Sequence, residues 1–185
     1  MSFMLLGILN SQAAGGGGGG FDLLETTTLT SSASSVTFSG IDQSYKHLQV
    51  RMTLRSTRAF ATDTWGVRFN GVSTASYAYH RLRGNGSTVA SIANTSMTIM
   101  DTGTFPDSTQ AANIFGVSVI DVLDFSSISK NTTIKTLTGM TGSQNYVNLN
   151  SGFYNSTDAI TSISLESPQG FSAVAGTRVS IYGVK

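Results

Sequence analysis

Apolar and polar residues alternate with a period of two along most of the chain beyond residue 20, and no stretch repeats apolar residues at helical spacing. The clearest case is residues 47–55, where Leu48, Val50, Met52 and Leu54 alternate with His47, Gln49, Arg51, Thr53 and Arg55. One face is apolar and the other polar with cations, the pattern of a half-buried sheet strand. Trp65, Val67 and Phe69 alternate in the same way, and Asn70-Gly71 behind them is a strong hairpin signal that predicts residues 77–83 as the partner strand. Residues 114–125 are more uniformly apolar (Phe115, Val117 and Val119 against Ile114, Ile120 and Val122), as expected of a strand deep between two sheets. Shorter or more polar candidates are residues 23–30, 36–38, 97–100, 135–140, 146–154, 160–166 and 178–184.

Gly, Ser, Asn and Asp clusters separate these segments, and eight to ten short strands so punctuated predict an all-β, antiparallel β-sandwich with a jelly-roll closure. Residues 107–113 are the one place where a single helical turn is expected. No internal repeat or linker follows Phe21, so residues 21–185 read as one body and residues 1–20 as an extended arm.

Composition sharpens this picture. Charged residues are 11% of the chain, well under the share usual for a soluble domain, while Ser and Thr supply roughly a quarter of it. Polarity without charge, with 20 Gly and 2 Pro, suits strands and tight turns better than helices. The formal charge of +1 gives no global field for nucleic acid or an acidic substrate. The absence of cysteine excludes a disulfide scaffold, thiolate catalysis and the usual zinc knuckles. No apolar run approaches the roughly 20 residues that cross a bilayer, so no membrane partner is expected.

The arm opens with an apolar run that includes Phe3, Met4, Leu5, Leu6, Ile8 and Leu9, and six glycines at 15–20 end it. A secretory signal shares the apolar core and small residues at Ala13 and Ala14, but no Lys or Arg precedes this one. The segment is expected to be an anchoring arm: the six apolar side chains would form a sticky patch if exposed, and are expected to be covered by a neighbouring subunit.

Candidate chemistry is sparse. His47 and His80 are the two histidines, each within an expected strand, and although Ser76 and Ser87 flank His80 in sequence, no nucleophile-elbow pattern surrounds them. Asp121 and Asp124 are three apart, so on a regular strand they face opposite ways; should the strand end near Leu123, Asp124 becomes a turn residue. Gly84-Asn85-Gly86-Ser87-Thr88 lacks the lysine and helix of a phosphate loop and reads as a turn. Neither a metal site nor another cofactor is expected, and the chain is not expected to be an enzyme. Arg51, Arg55, Arg58 and Arg68 are a candidate patch for carboxylates of a neighbouring subunit or for an anionic ligand. Tyr77, Tyr79 and Tyr154 are candidate stacking platforms for sugars, although aromatics at alternate strand positions more often belong to a core or an interface.

Five segments carry a resemblance: F-D-L-L-E-T-T-T-L-T (21–30), V-R-F-N-G (67–71), Y-H-R-L-R-G-N-G (79–86), F-G-V-S-V-I-D-V-L-D (115–124) and the ending I-Y-G-V-K (181–185). In these the chain resembles small structural proteins of tailed phages, especially marine and cyanobacterial ones. The resemblance implies a virion surface component, made in the host cytoplasm: a capsid decoration (cement) protein or, alternatively, a receptor-binding head or tail fibre. It also implies a jelly-roll body, a homotrimer, attachment through a terminal arm, and the major capsid protein or other virion subunits as partners.

Overall fold

The computed structural model describes residues 20–185; the arm residues Phe3, Met4, Leu5, Leu6, Ile8 and Leu9 lie outside them. The described residues form twelve strands and no helix: β1 (Asp22–Thr28), β2 (Ser35–Ser39), β3 (His47–Leu54), β4 (Thr62–Phe69), β5 (Tyr77–Gly84), β6 (Val89–Met97), β7 (Met100–Pro106), β8 (Gly116–Leu123), β9 (Thr132–Met140), β10 (Tyr146–Tyr154), β11 (Ser162–Glu166) and β12 (Arg178–Val184). All pairings are antiparallel, in one sheet ordered β1-β12-β3-β8-β9-β10-β5-β6 and another ordered β2-β11-β4-β7.

The expected β-sandwich is present, with jelly-roll connectivity. Taken alone, β1-β12-β3-β8 and β2-β11-β4-β7 are the two four-stranded sheets of an eight-stranded jelly roll. Two hairpins are inserted in it: β5–β6 between β4 and β7, and β9–β10 between β8 and β11. Both add to the same edge of the first sheet and double its width. The core lies between the sheets, where Leu48, Val50, Met52 and Leu54 of β3 face Trp65, Val67 and Phe69 of β4, all nearly inaccessible.

Three local expectations need correction. Asn70-Gly71 does turn the chain, with φ of 51° and 67° and a Val72 N–H to Phe69 C=O bond of 2.9 Å, but β4 and β5 do not pair. The Asn70 side chain accepts from the N–H groups of Thr161 (2.8 Å) and Ser162 (3.2 Å) and donates to the Ala159 carbonyl (2.9 Å), which fixes the turn to the start of β11. From there the chain crosses to the other sheet. Residues 97–100 are not a strand but the junction of β6 and β7. Residues 107–113 form reverse turns, because the Asp107 carboxylate accepts from Thr109 N–H (2.9 Å) and closes the backbone locally.

Replacing Asn70 by Ala removes these side-chain bonds and places a Cβ-bearing residue without a local partner at positive φ, so it should cost about 2–4 kcal/mol. Asn70→Gly keeps the conformation accessible and should lose about half as much. Urea unfolding of the two variants checks this; equal losses would mean that the turn conformation itself stores nothing.

Candidate functional site

The inserted hairpins lie beside β7, whose seven residues are all buried although it is the last strand of its sheet. A register shift opposite Trp65 and Gly66 leaves Thr102 as the extra residue of a bulge. Its carbonyl, and that of Asp101, have no strand to bond to. Side chains of the facing sheet satisfy them: Thr136 Oγ1 (3.1 Å) and Thr138 Oγ1 both donate to the Thr102 carbonyl, and Asn150 Nδ2 donates to the Asp101 carbonyl (2.7 Å). Thr138 Oγ1 is also within 2.7 Å of Ser118 Oγ. Gly103, at φ 127°, allows the close approach, since a Cβ there would meet the Thr138 side chain at 2.6 Å.

Asp101 closes the arrangement. Its carboxylate accepts from Arg81 Nη1 (2.7 Å), Tyr79 Oη (3.3 Å) and the Gly103 N–H (2.7 Å). Arg81 and Asp101 side chains retain 10% and 8% exposure, so this is a buried ion pair. Burial outweighs the guanidinium and raises the Asp101 carboxyl above its ordinary value, and burial pushes the Tyr79 hydroxyl up to about 12.

These polar positions point inward, so strand alternation sends their neighbours outward. Cross-strand pairing puts Arg51, Val119, Leu137, Leu149 and Leu82 in one row across β3, β8, β9, β10 and β5. The four apolar members of that row are 37%, 54%, 42% and 50% exposed, in the same order. Val117 and Val147 flank them on one side; on the other the next row is Asp121, Lys135 and Ser151, with Leu123 and Phe153 beyond it, and the four apolar residues among these are exposed. The expectation that residues 114–125 run deep between two sheets is therefore corrected: β8 is half-buried, with Ser118, Ile120 and Val122 inward and Val117, Val119 and Leu123 outward.

The four arginines do not form one patch. Arg51, on the outer face of the wide sheet, lies over the rings of Phe21 (5.1 Å) and Tyr182 (4.6 Å). Arg68 is on the other sheet, paired with Glu166 and donating to the Thr98 carbonyl (3.1 Å). Arg55 donates to the carbonyls of Ser108, Gln110 and Ala111, capping that loop. Arg58 lies 3.6 Å from buried Asp63 and against the rings of Phe60 and Phe171. Each guanidinium is thus engaged within its own neighbourhood of the fold.

The three tyrosines are core residues, which corrects their reading as sugar platforms. Tyr77 stacks on Tyr154 at 5.1 Å and both lie against Phe69. The Tyr77 hydroxyl accepts from Phe69 N–H (3.0 Å) and donates to the Val72 carbonyl (3.1 Å), and burial pushes its pKa up to about 12. Tyr79 is turned inward to Asp101.

His47 lies beside Asp124, with Nδ1 3.7 Å from its carboxylate, while His80 and Asp121 are held elsewhere. His47 Nδ1 accepts from the Asp124 N–H (2.9 Å), while His80 is exposed on the outer face of β5. β8 ends at Leu123, and Asp124 is a turn residue at φ 55°, its carboxyl held below the usual range by Lys130 at 2.6 Å. Asp121 accepts from Gln49 Nε2 (2.8 Å). Comparison with known proteins finds no family model and no curated protein that matches the chain.

The buried pair makes a sharp prediction. Arg81→Met or Asp101→Asn alone strands a buried partner and should cost about 3–5 kcal/mol, whereas the double variant should cost clearly less than the sum. Because the Asp101 carboxyl is raised in the folded state, its contribution is fully present below its ordinary 3.8 and declines as pH rises through the higher folded value. Asp101→Asn should remove that decline. Urea midpoints from mildly acid to neutral pH test both statements; additive single losses would refute the coupling.

Proposed function

We propose that this chain is a non-catalytic structural component of a virus particle: a capsid decoration protein held through its arm, residues 1–20, by the major capsid protein or other virion subunits. One observation carries the reading. The wide sheet of the jelly roll presents Val119, Leu137, Leu149 and Leu82 outward while Asn148, Asn150, Thr136 and Thr138 pack inward. A sheet built this way suits contact with other subunits, since an exposed apolar surface of this kind marks an interaction site. Jelly rolls are common in viral capsid and lectin domains, so the frame is compatible with either setting. The five resembling segments favour the particle. Linking an arm to a body adds contacts away from the main footprint, and linked sites raise avidity without any single strong contact.

The receptor-binding fibre remains the alternative, but its aromatic support is thin. With Tyr77, Tyr79 and Tyr154 in the core, Phe153 and Tyr146 are left on β10, and strand alternation puts them on opposite faces.

Substituting Leu5, Leu6 and Ile8 together by Asp in the full chain should abolish binding to particles lacking the protein and leave the unfolding midpoint of the body unchanged. Normal decoration by this variant would refute attachment through the arm. Hundreds of copies per particle fit a shell location; a handful would favour the fibre.

A further inference from the structure

We infer that the outer face of β8, β9, β10 and β5 is covered by a second copy of this chain. The inference rests on the reading of the chain as a structural subunit and names a surface through which two copies would meet.

The first argument is composition. β6 and β10 contain no charged residue, and the outer face from β8 to β6 carries one Asp and one Lys. These are Asp121 and Lys135, direct cross-strand neighbours of opposite sign. Two identical faces can therefore meet without net repulsion, each carboxylate finding the other copy's ammonium. Depletion of charge at the centre of a contact, with polar residues around it, is the anatomy of a protein interface.

The second argument is the edge. β6 is the free edge of the wide sheet, regular over residues 89–94, and has neither a charge nor a proline to block pairing. Val89 on it is 73% exposed. The opposite edge, β1, is protected by Asp22, Glu25 and a register shift between Leu23 and Glu25. The unprotected edge adjoins the apolar face, so one partner can cover both.

The third is size. Five strands at about 4.8 Å spacing and the two adjacent rows of Val119 and Val117 at about 6.8 Å give an apolar centre of roughly 300 Å². A standard interface buries about 800 Å² per partner, so this centre plus a polar rim meets what a stable pair needs.

The full-length chain should sediment as an oligomer whose mass falls on dilution. Leu137→Lys with Leu149→Lys should raise the dissociation constant at least about a hundredfold, because two apolar anchors near the centre become buried ammonium groups. Thr37→Lys, on the outer face of the other sheet, should leave the mass unchanged. The chain has no cysteine, so Leu149→Cys supplies a unique thiol that should cross-link two copies through a short bismaleimide. A wild-type monomer at the highest soluble concentration, or an oligomer that survives the double lysine variant, would overturn the inference. So would a monomer in which the Leu149→Cys thiol is shielded, since the chain's own leader would then be the cover. Loss of particle binding by the leader variant with the oligomer intact would separate the two readings.

Discussion

The arrangement turns on a backbone problem. β7 ends its sheet yet is buried, so the carbonyls of Asp101 and Thr102 face the protein interior without strand partners. A buried, unpaired carbonyl costs about 1–3 kcal/mol, so something must donate to it. Here Asn150, Thr136 and Thr138 do. Their inward orientation is obligatory once they take that role, and the two-residue period of a strand then obliges Leu149 and Leu137 to point out. The apolar outer face is thus the geometric complement of donors turned inward to β7, and Asn148 Nδ2 and Oδ1, Asn150 Oδ1 and Arg81 Nε are buried beside them without a protein partner.

The Asp101–Arg81 pair belongs to the same solution. Asp101 lies on β7 and Arg81 on β5, so the bond joins the jelly roll to the outermost inserted hairpin. In a low-dielectric interior such a pair contributes little net stability compared with apolar packing, but breaking it is expensive. Its value lies in specification. A one-residue slip of β5 against β10 would replace Arg81 by Leu82 beside Asp101 and bury the outer row, and the unpaired carboxylate opposes that register. Tyr79, on the same face of β5 as Arg81, adds a donor that a one-residue slip would lose.

The sandwich and its jelly-roll closure were legible because most of its strands carry a two-residue alternation or a dense apolar run. β3 has the clearest signal and sits where its pattern places it, Leu48 to Leu54 inward. β6 and β7 were not legible. β6 is exposed on both faces and β7 buried on both, so neither alternates, and both merged into the short candidate at 97–100. The Asn70-Gly71 turn was right in its conformation and wrong in its consequence, because hairpin statistics contain no term for an asparagine side chain fastened to residues 159–162. The cationic patch failed because sequence proximity said nothing of which sheet each arginine joins. The outer face was the least visible. In N-Y-V-N-L-N, at residues 145–150, hydrophobicity alone sends Val147 and Leu149 inward; only the demand from β7, some fifty residues earlier, reverses it.

The arm and the outer face, as proposed, would work through one another. A single apolar segment of six side chains on a glycine tether is a weak grip, since the freedom of the tether must be given up when it docks. Association through the wide sheet multiplies the grips: each copy contributes its own arm, and once one is seated the others search a small volume rather than bulk solution. The gain requires that the body be rigid where copies meet and that the arm be free where it is not yet bound. The described structure supplies the first condition through Asp101, Arg81 and the capped edge of β7. The second would fall to residues 15–20, six glycines without a Cβ to restrict them. On the proposed reading, a stiff sheet and a glycine-linked apolar segment would be complementary parts of one attachment device.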